Sequence, residues 1–201
     1  MIIGKPGYDH SPISWYAASK SVYGWSLQTQ MQARAHALDT GARRLKSFGP
    51  DPIYSRACVF CGEEQENEHH IFVTCPKHAA WREASNSAIS KHTFTLEIGD
   101  CDLLGAVPFW ADAILCDDIA WPSEGRSQYF TGFLPTLDSV QLGFSESDAG
   151  KSLLNFTYHE VRKLTGRIFG ARISAVTRRS REEGHAQAVG AVGGSTLKDK
   201  C

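Results

Sequence analysis

The segment CVFCGEEQENEHHIFVTCP, from Cys58 to Pro76, constrains the fold more than any other part of the chain. Its spacing is Cys58-x2-Cys61-x8-His70-x4-Cys75. Two thiolates separated by two residues can turn back on one point, and a histidine and cysteine five residues apart can close a tetrahedron. Three sulfurs and one imidazole make a closed structural set for one Zn2+, with no ligand position left for water. Gly62 follows the second cysteine, where a tight knuckle turn calls for a conformation that glycine adopts cheaply. His69 is the rival for the fourth position, and the sequence leaves it open; the x4 gap to Cys75 favours His70. His78 is a more distant rival and reads as a helix-surface histidine. Six cysteines in 201 residues are too sparse for a disulfide scaffold, so metal is the better use of the three that crowd together here. Binding would contribute on the order of 10 kcal/mol to local folding.

Around this segment the chain reads as mainly α: an irregular helical array around a small CCHC zinc knuckle, with a disordered C-terminal tail. Residues 1–48 form an N-terminal helical segment in which Trp15, Ala18, Val22, Trp25, Met31, Ala35, Leu38 and Leu45 recur at loosely helical spacing. Ser11-Pro12 suits its start, and Gly24 and Gly41 are expected to break it. The GPDP run at 49–52 ends helical geometry. Residues 49–92 hold the knuckle and a following helix that opens at Pro76 and runs to about residue 90. Residues 93–145 are punctuated by glycine and proline and read as short helices and loops. An amphipathic basic helix spans 146–183, with Leu153, Leu154, Val161, Leu164, Ile168, Ile173 and Val176 as its apolar set. The tail, 184–201, contains GAVGG and no sustained apolar period, which predicts disorder.

Charge directs the reading of partners. The 21 basic and 22 acidic residues nearly cancel, so no global field points to nucleic acid or a membrane surface, and any such contact must be local. No stretch approaches the roughly 20 apolar residues of a membrane span. The N-terminus lacks the pattern of a secretory signal, which places the expected location inside the cell. Phe60 and Phe72 could stack on unpaired bases in RNA or single-stranded DNA, but Glu63, Glu64, Glu66 and Glu68 fill the loop between the ligands and would repel phosphate. The better basic set is Arg162, Lys163, Arg167, Arg172, Arg178 and Arg179 on the late helix, continued by Arg181. A protein partner is the alternative, with Trp15, Trp25, Trp81, Trp110 and Trp121 supplying core or contact surface.

The run DPIYSRACVFCGEEQENEHHIFVTCP is similar to the zinc-binding segment downstream of reverse transcriptase in fungal non-LTR retrotransposon polyproteins, whose pattern is C-x2-C-G, acidic residues, then H-x4-C-P. Cys58, Cys61, Gly62, His70, Cys75 and Pro76 each match it. A weaker likeness covers SQYFTGFLPTLDSV at 127–140 and LTGRIFGARIS at 164–174. The resemblance implies a helical, zinc-bearing region from an element that copies itself through RNA. The polymerase itself is missing, which implies a relict or co-opted fragment.

Signals for catalysis fail on inspection. Asp117-Asp118 in ILCDDI lacks the preceding aromatic and the third carboxylate of a polymerase centre. The Gly-Lys-Ser at 150–152 lacks the glycine five residues earlier that a phosphate-binding loop requires; Ser145 stands there. Asn155-Phe156-Thr157 matches a glycosylation acceptor but sits on an expected helix. Cys101 or Cys116 with His92 or His159 would be a thiol–imidazole pair, yet nothing nearby activates either thiol. The expectation is therefore a protein that is not an enzyme.

Overall fold

Three α-helices carry most of the described residues, and the ligand segment lies between the first two in sequence. The computed structural model describes residues 8–9, 24–43, 57–62, 65–97, 114–115, 126–135 and 148–194. Helix α1 spans Gly24–Arg34, α2 spans Ala79–Glu97 and α3 spans Asp148–Gly194. A two-residue antiparallel pair joins β1 (Tyr8–Asp9) to β2 (Leu134–Pro135), in the register Tyr8 to Pro135 and Asp9 to Leu134. The mainly helical fold read from sequence is therefore what the chain adopts.

Helix α1 lies on α3 through small and polar residues. Its buried positions are Ser26, Thr29, Gln30 and Ala33, an unusual core face that works because the helices approach closely. A Cβ added at Gly166 would fall 1.9 Å from Ser26 Oγ, so only glycine fits there. The N-terminal segment is divided into helical pieces, and the residues before Gly24 that would test a break there lie outside the described residues. Gly24 is the first described residue of α1 and Gly41 begins the helical residues 41–43; a turn lies between them, at His36, whose φ of 48° is left-handed. A backbone bond from His36 N–H to the Ala33 carbonyl (3.0 Å) and one from the Arg43 guanidinium to the His36 carbonyl hold that conformation.

Pro76 begins a short 3-10 turn, Pro76–His78, that feeds directly into α2. The helix runs past the expected end near residue 90 to Glu97, taking in the first residues of the segment read as short helices and loops. No glycine or proline interrupts it before Gly99. Its threonines return their hydroxyls to the helix, Thr93 to the Ile89 carbonyl at 3.0 Å and Thr95 to the Lys91 carbonyl at 2.9 Å.

Residues 126–135 form a second support. A 3-10 turn, Tyr129–Thr131, ends at Gly132 with φ 75°, packed so tightly that a Cβ would meet Gln30 Oε1 at 2.9 Å. Arg34 Nε donates to the Thr131 carbonyl (2.5 Å), and the Tyr129 hydroxyl donates to the Phe72 carbonyl (2.6 Å). The core joins Leu38, Ile71, Phe72, Ile89, Tyr129, Phe130, Leu134, Val161, Leu164, Ile168 and Phe169. Phe72 stacks on Phe130 at 4.8 Å, which makes it core and not a platform for bases.

The tail departs from expectation. The backbone is helical through Gly194, although 184–201 reads as disordered; 195–201 lie outside the described residues. Ala186, Gln187, Ala188 and Ala191 are good helix formers, and extending a nucleated helix is cheaper than starting one.

Candidate metal centre

Local backbone structure brings the ligands together before any ion is considered. Ala57 and Gln65 form an isolated antiparallel bridge that draws the two ends of the first knuckle together. Inside it, Gly62 N–H donates to the Cys58 carbonyl at 2.9 Å with the glycine at φ 74°, the left-handed geometry its position called for. On the other side His70–Thr74 form a π-helical turn, closed by Cys75 N–H donating to the His70 carbonyl at 2.7 Å. The wider turn carries His70 and Cys75 to the same side. Asn67 Oδ1 accepts from His70 N–H (2.8 Å) and so caps the start of that turn.

The four donor atoms of Cys58, Cys61, His70 and Cys75 lie within 4.8 Å of one another, a group able to hold a metal ion. Cys58 Sγ and Cys75 Sγ are 3.8 Å apart, and Cys61 Sγ is 3.3 Å from His70 Nε2. Metal–sulfur bonds of about 2.3 Å and metal–nitrogen bonds of about 2.0 Å at tetrahedral angles give edges of about 3.8 and 3.5 Å. His70 Nδ1 lies 3.3 Å from Thr74 Oγ1, a partner that orients the ring with Nε2 toward the sulfurs. Burial pushes the Cys58 thiol up to about 12, with neighbouring Cys75 adding to the rise and backbone groups of Phe60 and Cys61 opposing it. Burial likewise raises Cys75, against a backbone hydrogen bond from Lys77. Thiols so placed resist ionisation by themselves and need a cation to become thiolates.

His69 is not in the ligand group; it lines a cavity of about 210 Å³ with His36 and Glu68. His78 is not a surface residue. It is buried between Phe60, edge-on at 4.5 Å, and Trp81, stacked at 5.1 Å, and neither ring nitrogen has a hydrogen-bond partner. Burial lowers its pKa to about 4, with the charges of Arg82 and His70 contributing.

Sequence reasoning misjudged the acidic loop. Glu66 is 2% exposed, and its Oε1 accepts from Arg172 Nε at 2.8 Å, Arg172 Nη2 at 2.5 Å and Gly41 N–H at 2.9 Å. Its Oε2 accepts from Val59 N–H, inside the knuckle, at 3.2 Å. Glu68 pairs with His36 Nδ1 at 3.2 Å, and burial raises its pKa. Neither carboxylate is a free surface charge, and Glu63 and Glu64 lie outside the described residues.

The basic set divides. Arg172 and Arg162 are 2% and 1% exposed, on the side of α3 that carries Val161, Leu164 and Ile168, so neither is available to phosphate. Lys163, Arg167, Arg178 and Arg179 are exposed. Lys163 pairs with Glu160 at 3.3 Å, Arg178 with Glu182 at 3.9 Å and Arg179 with Glu183 at 2.9 Å, while Arg167 sits 4.3 Å from the centre of the Trp81 ring.

Cys101, Cys116, Asp117, Asp118, Trp15, Trp110 and Trp121 lie outside the described residues. Gly150, Lys151 and Ser152 are in the first turns of α3 and not in a loop. His92 stacks on Phe156 at 4.1 Å. Among the described residues no helix is long and apolar enough to cross a membrane. No protein-family model, curated protein or solved structure matches the chain.

Proposed function

We propose that this chain is a non-catalytic module built on one structural zinc ion, derived from a retrotransposon polyprotein and associated with nucleic acid. The observation that carries the zinc reading is the closed set of Cys58, Cys61, His70 and Cys75, whose 3.8 and 3.3 Å donor separations suit a tetrahedral ion. Three thiolates and an imidazole favour Zn2+ over harder cations, and four protein donors leave no place for an activated water. The ion would tie the knuckle to the start of α2. The residues that match the retrotransposon pattern support the ancestry, and the exposed cations of α3 support the nucleic-acid association.

Cobalt substitution tests the metal assignment. Co2+ added to metal-free protein should give the visible absorption of a tetrahedral thiolate-rich site, and one equivalent of Zn2+ should abolish it. An octahedral spectrum would overturn the assignment. The second reading is a zinc-stabilised protein-interaction module without nucleic-acid binding, favoured by Phe94, which stands 63% exposed on α2. Absence of binding to any oligonucleotide at low salt would decide for it.

A further inference from the structure

With Arg162 and Arg172 removed to the interior, the outward face of α3 shows an order that the full list of arginines conceals. At about 100° per residue, Lys163, Arg167, Gly170, Ser174, Arg178 and Arg181 fall in one stripe about 80° wide and about 27 Å long. The cationic members are all exposed; Lys163 and Arg178 pair with Glu160 and Glu182, acids just beyond the two ends of the stripe, and no acidic residue falls between Lys163 and Arg181.

Two tryptophans from other helices meet this stripe at its middle. Trp81 of α2 holds the Arg167 guanidinium at 4.3 Å from its ring centre. Trp25, at the start of α1, lies beside Gly170: a Cβ there would stand 3.9 Å from Trp25 Nε1, an ordinary contact that places the indole at this point of the stripe. Trp25 remains 46% exposed. An open indole therefore stands between one cationic pair, Lys163 and Arg167, and another, Arg178 and Arg181.

From this juxtaposition we infer that the stripe is a docking track for single-stranded nucleic acid, with an unpaired base stacked on Trp25 and backbone phosphates on the flanking cations. The inference rests on the proposed nucleic-acid association and specifies its surface. Base stacking on an aromatic ring needs a free base face, which a duplex does not offer. The cations attract any polyanion, so the indole is what separates a single strand from an acidic protein segment.

The test uses the zinc-loaded full chain and a fluorescent 12-nucleotide oligo(U) in anisotropy titrations, with zinc content of each variant checked by native mass spectrometry. Trp25→Ala should weaken binding by about tenfold or more. Arg178→Gln with Arg181→Gln, at exposed positions that leave the fold intact, should reduce the slope of log affinity against log salt by about 1.4. Lys151→Gln, off the stripe, should leave both unchanged. The inference is overturned if Trp25→Ala and the double variant bind like the parent, if a duplex binds as tightly, or if poly-glutamate competes equally well. Binding that survives in the stripe variants refutes this surface but leaves nucleic-acid association standing. No binding of any oligonucleotide at low salt refutes both.

Discussion

Arg172 donates two hydrogen bonds to a single oxygen of Glu66, at 2.8 and 2.5 Å, and both side chains are almost wholly withdrawn from water. Through Glu66 the long helix α3 is tied to the knuckle at Val59 and to the turn after α1 at Gly41. Removing one partner leaves an uncompensated buried charge, which typically costs about 3–5 kcal/mol. Arg172→Met should therefore destabilise the zinc-loaded protein by that order in urea unfolding. The double variant with Glu66→Gln should lose less than the sum of the two single changes, because the carboxylate is no longer stranded.

The closeness of α1 and α3 predicts a rescue. Gly166→Ala places a methyl group 1.9 Å from Ser26 Oγ and should cost about 1–3 kcal/mol. Adding Ser26→Gly removes the clashing atoms and should restore part of that loss. Thermal unfolding of the two single variants and the pair measures it.

His78 sets a pH dependence. The folded protein holds it near 4 against an ordinary value of 6.5. The unfolded chain thus takes up a proton that the folded chain refuses, and stability falls as pH drops from about 6.5 towards about 4, by at most about 3 kcal/mol. Protonation of the thiolate ligands acts in the same direction, so the contribution of His78 is read by difference. His78→Phe keeps the ring packing against Phe60 and Trp81 and should flatten the decline between pH 6.5 and 5 in urea unfolding. An identical decline in parent and variant would assign the effect to the ligands alone.

Gly62 is the second half of the knuckle turn, with open space where a side chain would go but a φ of 74°. Gly62→Ala should cost about 1–2 kcal/mol through backbone strain alone. The Zn2+ affinity of the variant, measured by competition with a chelator, should fall while its stoichiometry stays the same.

The ligand set was legible in the sequence because short-range spacing alone brings its donors together. Cys58 and Cys61 share one turn and His70 and Cys75 the next, so no distant contact is needed. The 3-10 turn at Pro76 that leads into α2 was legible for the same reason. What failed required knowledge of long-range neighbours. Glu66 and Arg172 are 106 residues apart, and pattern reading assigns each to solvent because charged residues are seldom buried without a partner. The partner appears only when α3 folds back over the knuckle. The expected end of α2 near residue 90 followed the apolar run that stops at Ile89, whereas the helix continues to Glu97 with no glycine or proline to break it before Gly99. Asn67, which caps the ligand turn, carried a visible signal three residues before His70.

On the proposed function, Cys58, Cys61, His70 and Cys75 hold one zinc ion on which the knuckle depends. Native mass spectrometry of protein produced with zinc present measures this most directly. The expected result is one Zn2+ per chain in the parent, none retained by Cys61→Ser, and a full complement in His69→Ala. A parent chain that is metal-free while residues 58–75 remain ordered, or a Cys61→Ser variant that keeps its zinc, would contradict it.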